Sequence, residues 1–104
     1  MFRIYPFILE TIRKIAPHVR TISKHDPDLA KQLRRSASSI ALNAAEAVGS
    51  QGGNQRARFR NALGSTYETR ANLDVAEVWS YVEVDAQLRD DLDRIAATLF
   101  RLIE

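Results

Sequence analysis

Apolar residues recur along this chain at steps of three and four, and nowhere alternate with polar ones over a strand's length. Tyr5, Ile8, Leu9, Ile12, Ile15, Ala16, Val19 and Ile22 trace one stripe, which predicts an amphipathic helix over about residues 5–24. Pro6 suits its first turn. Pro17 falls inside the stripe, where it removes a backbone hydrogen bond and crowds the preceding turn, so a kink is expected there; the stripe resumes at Val19. His25-Asp26-Pro27-Asp28 breaks the pattern, with Asp26 as N-cap and Pro27 at the first helical position. A second helix over about 27–48 carries Leu29, Leu33, Ser36, Ala37, Ile40, Ala44 and Ala47 or Val48 on its stripe. Its wealth of Ser and Ala leaves little bulk, so a neighbouring helix can approach closely.

The loop Gly49-Ser50-Gln51-Gly52-Gly53-Asn54 ends that helix, with glycine available for a left-handed cap. A third helix is predicted over about 54–80, with Phe59, Ala62, Leu63, Thr66, Leu73 and Ala76 on its broad face. Tyr81-Val82-Glu83-Val84 reads as a short extended connection before Asp85, an N-cap for a fourth helix over about 85–103. Leu88, Leu92, Ile95, Leu99 and Leu102 form its seam. Four amphipathic helices with short connections predict an all-α fold, an antiparallel up-down-up-down four-helix bundle forming a single domain over 1–104.

Composition narrows the chemistry. With no cysteine among 104 residues, disulfides, thiolate metal sites and cysteine nucleophiles are excluded. The opening Met1-Phe2-Arg3-Ile4-Tyr5 lacks the apolar core of a secretory leader, and no run approaches the ~20 apolar residues of a membrane span, so a soluble cytoplasmic protein without membrane contact is expected. The net charge of +2 conceals an uneven distribution: residues 1–70 hold twelve basic and five acidic side chains, residues 71–104 three and eight. Such polarity suits a polyanion partner, or self-association in which a basic surface meets an acidic one. Twelve of the fifteen cations are arginine, whose fork favours phosphate and carboxylate.

Two strings carry a family resemblance. Gln32-Leu33-Arg34-Arg35-Ser36-Ala37-Ser38-Ser39-Ile40-Ala41-Leu42-Asn43-Ala44-Ala45-Glu46-Ala47 resembles the signature of four-helix-bundle proteins encoded by intervening sequences of bacterial 23S ribosomal RNA genes. Arg58-Phe59-Arg60-Asn61-Ala62-Leu63-Gly64-Ser65-Thr66-Tyr67-Glu68 is similar to the second string of that family, which also includes the accessory variability protein of diversity-generating retroelements. Ala47 departs from the usual glycine, and Thr69 stands where leucine commonly follows the glutamate. The resemblance covers most of the chain. It implies structural roles for Asn43, Glu46, Gly64, Ser65 and Glu68, a homopentamer with basic surfaces, and work alongside RNA, DNA, a reverse transcriptase or another protein.

The candidate nucleic-acid-binding residues fall in three groups: Arg13, Arg20 and Lys24 on helix one, Lys31, Arg34 and Arg35 on helix two, and Arg56, Arg58 and Arg60 on helix three. The plainer reading is a solvated helix surface. Leu63, Tyr67, Arg70, Val75 and Trp79, with Val78, give helix three more apolar surface than its core stripe needs, which marks a contact with a second copy. Tyr67 also offers a ring on which a base could stack. Asn43 lies at the edge of the core stripe, placed to hydrogen-bond across helices, and Glu68 should face water or another protomer. Asp90-Asp91-Leu92-Asp93 is a solvated face or a receiver for a neighbour's arginines.

Nothing in the sequence composes a catalytic site. Arg13 with His18 and Arg20 with His25 superficially resemble the Arg-His motif of helical ribonucleases of the HEPN type, but both fall in or just after helix one. The two histidines lack a nearby carboxylate pair for zinc, and no phosphate loop, nucleophile elbow or dinucleotide fingerprint occurs. The expectation is therefore a non-enzymatic oligomer without metal or cofactor that binds nucleic acid or assists a nucleic-acid enzyme. The alternative is a scaffolding homo-oligomer that binds a protein partner.

Overall fold

The computed structural model describes residues 3–104, so the reading of Met1 and Phe2 as the start of a leaderless chain lies outside the described residues. Four helices, α1 (Ile4–Ser23), α2 (Pro27–Val48), α3 (Gly52–Val78) and α4 (Ala86–Ile103), make up the fold, and no strand occurs among the described residues. Helix α1 packs on α2, α2 on α3, α3 on α4, and α4 returns to α1, enclosing one core in a body 42 Å long. No helix among the described residues is long and apolar enough to cross a membrane.

The stripes meet in that core. Ile8, Ile15 and Ile22 of α1, Leu33 and Ile40 of α2, Phe59 and Leu73 of α3, and Leu88, Leu92, Ile95 and Leu99 of α4 are all buried. Each such side chain stabilises the fold by about 1.5–3 kcal/mol relative to exposure, so these apolar seams hold the helices together. Leu63, assigned above to the contact surface, is partly buried against this core.

The helix ends follow local chemistry. The Asp26 carboxylate accepts the Leu29 N–H at 3.0 Å with Pro27 at the first helical position, and Asp85 accepts the Leu88 N–H at 2.7 Å. Helix α1 runs on through Pro17, whose carbonyl accepts the Thr21 hydroxyl at 3.1 Å. The left-handed glycine is not the one ending α2: Gly49 has φ −86°, while Gly52, at φ 56°, opens α3 two residues earlier than the apolar pattern predicts. Helix α3 also stops two residues sooner. The Tyr81 N–H returns to the Ala76 carbonyl and the Ser80 N–H to Glu77, both at 2.9 Å, which forces Ser80 to φ 63°.

Small residues on α2 let α3 approach, and the contact is hydroxylated as well as apolar. The Thr69 hydroxyl lies 2.9 Å from Ser36 Oγ and 2.8 Å from the Ser65 carbonyl, the Asn72 amide donates to Ser36 Oγ at 3.2 Å, and Ser65 Oγ donates to Ser39 Oγ at 2.8 Å. Every buried side-chain nitrogen and oxygen among the described residues has a partner, so this polar seam carries no desolvation penalty of unmade bonds. Thr69 therefore exchanges the apolar contact of a leucine for a hydrogen bond. Ala47 is fully buried and its carbonyl accepts the Gln55 amide at 3.0 Å.

Candidate nucleic-acid interface

Helix α2 buries Ser36, Ala37, Ile40, Ala44 and Ala47, so the residues beside them must turn outward. Arg34, Ser38, Leu42 and Glu46 follow one another at four-residue steps, with Arg35, Ser39 and Asn43 alongside, and Arg58 faces them from α3. Together these residues line an open groove of about 510 Å³. Arg58 Nη1 lies 2.7 Å from Glu46 Oε2 across it. Two smaller hollows follow the α1–α2 seam, one of about 290 Å³ bordered by Val19, Arg20 and Arg34, the other of about 190 Å³ bordered by Val19, Lys31 and Arg34. Arg34 borders all three. The structure thus brings Arg20, Lys31, Arg34, Arg35 and Arg58 onto one face spanning α1, α2 and α3.

The remaining candidates lie apart. Arg13 pairs with Glu10 at 3.2 Å on the exposed side of α1, and Lys24 is exposed beside the first connection. Arg56, Arg58 and Arg60 do not form one patch, because a two-residue step turns about 200° around a helix. Arg56 and Arg60 are exposed and border none of these hollows.

Ion pairing separates the cations into two sets. Lys14 Nζ holds Asp91 Oδ2 at 2.7 Å, Arg70 holds Asp93 at 3.3 Å, and Arg89 bridges Asp74 at 2.7 Å and Glu77. Arg20, Lys31, Arg34, Arg35, Arg56 and Arg60 have no carboxylate within 4.0 Å among the described residues. The acidic stretch of α4 is thereby largely committed within the chain. Asp91 is buried, its other oxygen accepting the Gln87 amide at 2.9 Å. Burial alone would raise its pKa, but the hydrogen bonds from Lys14 and Gln87 outweigh burial and hold it below the usual carboxylate value. The Val84 N–H, at 2.8 Å, and then Arg89 lower Glu77 in the same direction.

Of the contact candidates, Arg70 is half-buried in its pair with Asp93, while Tyr67, Val75 and Trp79 remain exposed. Gly64, Tyr67, Ala71, Val75 and Val78 form an exposed stripe on α3 opposite its core face, with Val78 83% exposed. A Cβ on Gly64 would meet nothing within 4 Å, so its role is not packing within the chain. Asn43 bonds back along its own helix, to the Ser39 carbonyl and hydroxyl at 3.0 Å each, and not across to another helix as its place in the pattern suggests. Glu68 is exposed, and Ser65 belongs to the polar seam. His25 stacks on Tyr81 with centroids 5.0 Å apart, and no group of three metal-ligating side chains occurs among the described residues.

Ser38 and Leu42, which line the main groove, escape a search for charge, as does the pairing of Glu46 with Arg58. The four-residue ladder from Arg34 through Glu46 is the signal that finds them.

The model of the 23S rRNA-intervening sequence protein family matches residues 8–101. A crystal structure of a protein of unknown function from the S23 ribosomal protein family, from Bacteroides thetaiotaomicron, is similar to this chain with a TM-score of 0.86. Its sequence is 22% identical, and the match covers 96% of this chain and 97% of that one. No curated protein matches the chain.

Proposed function

The chain belongs to the 23S rRNA-intervening sequence protein family, and from that premise we propose that it is a non-enzymatic cytoplasmic protein that assembles with itself and binds RNA or DNA. The observation that carries this reading is the selective pairing of its cations. Arg70 and Arg89 are matched to carboxylates of a neighbouring helix, whereas Arg20, Lys31, Arg34 and Arg35 on the α1–α2–α3 face have no carboxylate within 4.0 Å among the described residues, and Arg58 there holds only the exposed Glu46. Unmatched guanidiniums spaced along one face suit a phosphate backbone, and displacement of its counterions drives such binding. An accessory role to a nucleic-acid enzyme such as a reverse transcriptase uses the same face.

The bundle is read as antiparallel, up-down-up-down. Ser36 meets Thr69 while Glu46 meets Arg58, Arg70 meets Asp93 while Asp74 meets Arg89, and Phe7 meets Arg94 while Lys14 meets Asp91, so rising numbers on one helix meet falling numbers on its neighbour. The exposed stripe Gly64, Tyr67, Ala71, Val75 and Val78 is the self-association surface, and the family resemblance supports an assembly of five copies.

A second reading, a scaffolding oligomer that binds only protein, draws on the same stripe. Its charge-pairing form is disfavoured, because Asp91 and Asp93 already have partners in their own chain. Titration of labelled single-stranded and duplex RNA and DNA at about 50 and 200 mM salt, with the protein's mass measured by light scattering, separates the two. Binding that weakens steeply with salt supports the nucleic-acid reading. An intact oligomer that binds nothing at low salt leaves the scaffold.

A further inference from the structure

We propose that the groove between α2 and α3 is a binding site for one phosphate of a nucleic-acid strand, and that Glu46 occupies the place of that phosphate until the strand arrives. The inference rests on the nucleic-acid reading above and assigns it a particular seat. Three guanidiniums, Arg34, Arg35 and Arg58, reach the same groove, two from α2 and one from α3. Arg34 and Arg35 have no carboxylate within 4.0 Å among the described residues, and Arg58 is held only by Glu46. Both side chains of that pair are about half exposed, at 46% and 55%. Exposed pairs of this kind are weak and exchange partners readily.

The rest of the groove offers little competition for an anion. The Asn43 amide is committed to Ser39, and the Ser39 hydroxyl also accepts from Ser65, so the guanidiniums, with the exposed Ser38 hydroxyl, are its donors. A phosphodiester presents two non-bridging oxygens that share one negative charge, which forked guanidiniums from opposite walls can engage together. On binding, the Arg58–Glu46 pair opens, Arg58 turns to a phosphate oxygen, and the Glu46 carboxylate moves to water. The groove, about 510 Å³, exceeds the needs of a bare ion, and Leu42, 65% exposed, gives the attached sugar and base an apolar wall. Glu46 thus lowers affinity in the free protein and keeps Arg58 oriented across the groove.

The test compares the full-length protein with Glu46→Gln and Arg58→Ala, using a labelled twelve-nucleotide single-stranded RNA and adenosine monophosphate as probes, with circular dichroism to confirm folding. Removing one negative charge beside the phosphate should tighten RNA binding by about three- to tenfold in Glu46→Gln. Arg58→Ala should weaken it and reduce the slope of log affinity against log salt by about one. Adenosine monophosphate should bind far more weakly than the RNA but respond to Glu46→Gln in the same direction. Weaker RNA binding in Glu46→Gln would overturn the competition, making Glu46 a support for Arg58. RNA binding unchanged in both variants would remove the groove while leaving the wider basic face intact, whereas no RNA binding by the unaltered protein at 50 mM salt would remove both. Adenosine monophosphate binding as tightly as the RNA would replace the strand with a free nucleotide as the ligand.

Discussion

Ser80 shows how one residue can be set by the geometry around it. Its φ of 63° comes from the two backbone bonds that end α3, at a position where glycine usually stands because an L side chain crowds the following carbonyl. Ser80→Gly should therefore raise stability by about 0.5–1 kcal/mol in denaturant unfolding, the relief of crowding exceeding the entropy lost by glycine. A fall in the midpoint would contradict that assignment. Asp91 is set by its partners. Its folded pKa lies below its ordinary 3.8, so its stabilisation is fully present above that value and is lost as pH falls through the lower folded one. Asp91→Asn should be less stable than the unaltered protein at pH 7, and the gap should close as pH drops below about 4. A gap that persists at low pH would assign the residue a purely steric role. Neither feature was legible in the sequence: a cap's φ and a carboxylate's partner 77 residues away leave no local periodic mark.

At the scale of elements, α4 was the most legible helix because its apolar residues occupy one seam and its cap precedes it directly. Helix α3 was harder, being apolar on two opposite faces. Leu63 serves the core side while Tyr67, Val75 and Val78 serve the outer side, and periodicity alone does not say which side a borderline residue joins. The polar seam with α2 was legible only as small residues allowing close approach. That Ser36, Thr69 and Asn72 bond to one another depends on the register of two helices. The outer stripe gives a prediction at this scale. Val75→Asp places a charge in the middle of this exposed apolar stripe, so it should leave the helical circular dichroism unchanged and weaken self-association on the order of 100-fold or more. An unchanged mass by light scattering at matched concentration would exclude the stripe as the contact.

Across the whole molecule, the charge asymmetry of the sequence takes a more specific form than its count suggests. Half of the acidic side chains in residues 71–104 are paired within the chain: Asp74 and Glu77 share Arg89, Asp91 holds Lys14 and Asp93 holds Arg70. On the basic side, Arg20, Lys31, Arg35 and Arg58 gather around Arg34, which borders three hollows. Sequence counting finds the charges, but only the packing of α1, α2 and α3 decides which share a face, and it separates Arg13, Lys24, Arg56 and Arg60 from the other candidates. Phosphate binding at that face is the central claim, and the paired substitution Arg34→Ala/Arg35→Ala tests it most directly. Both side chains are exposed, so the bundle should remain folded. Measured by anisotropy of labelled RNA between about 50 and 200 mM salt, the loss of two phosphate contacts should weaken binding and lower the slope of log affinity against log salt by about two. The same affinity and the same slope in the folded double variant would contradict the account.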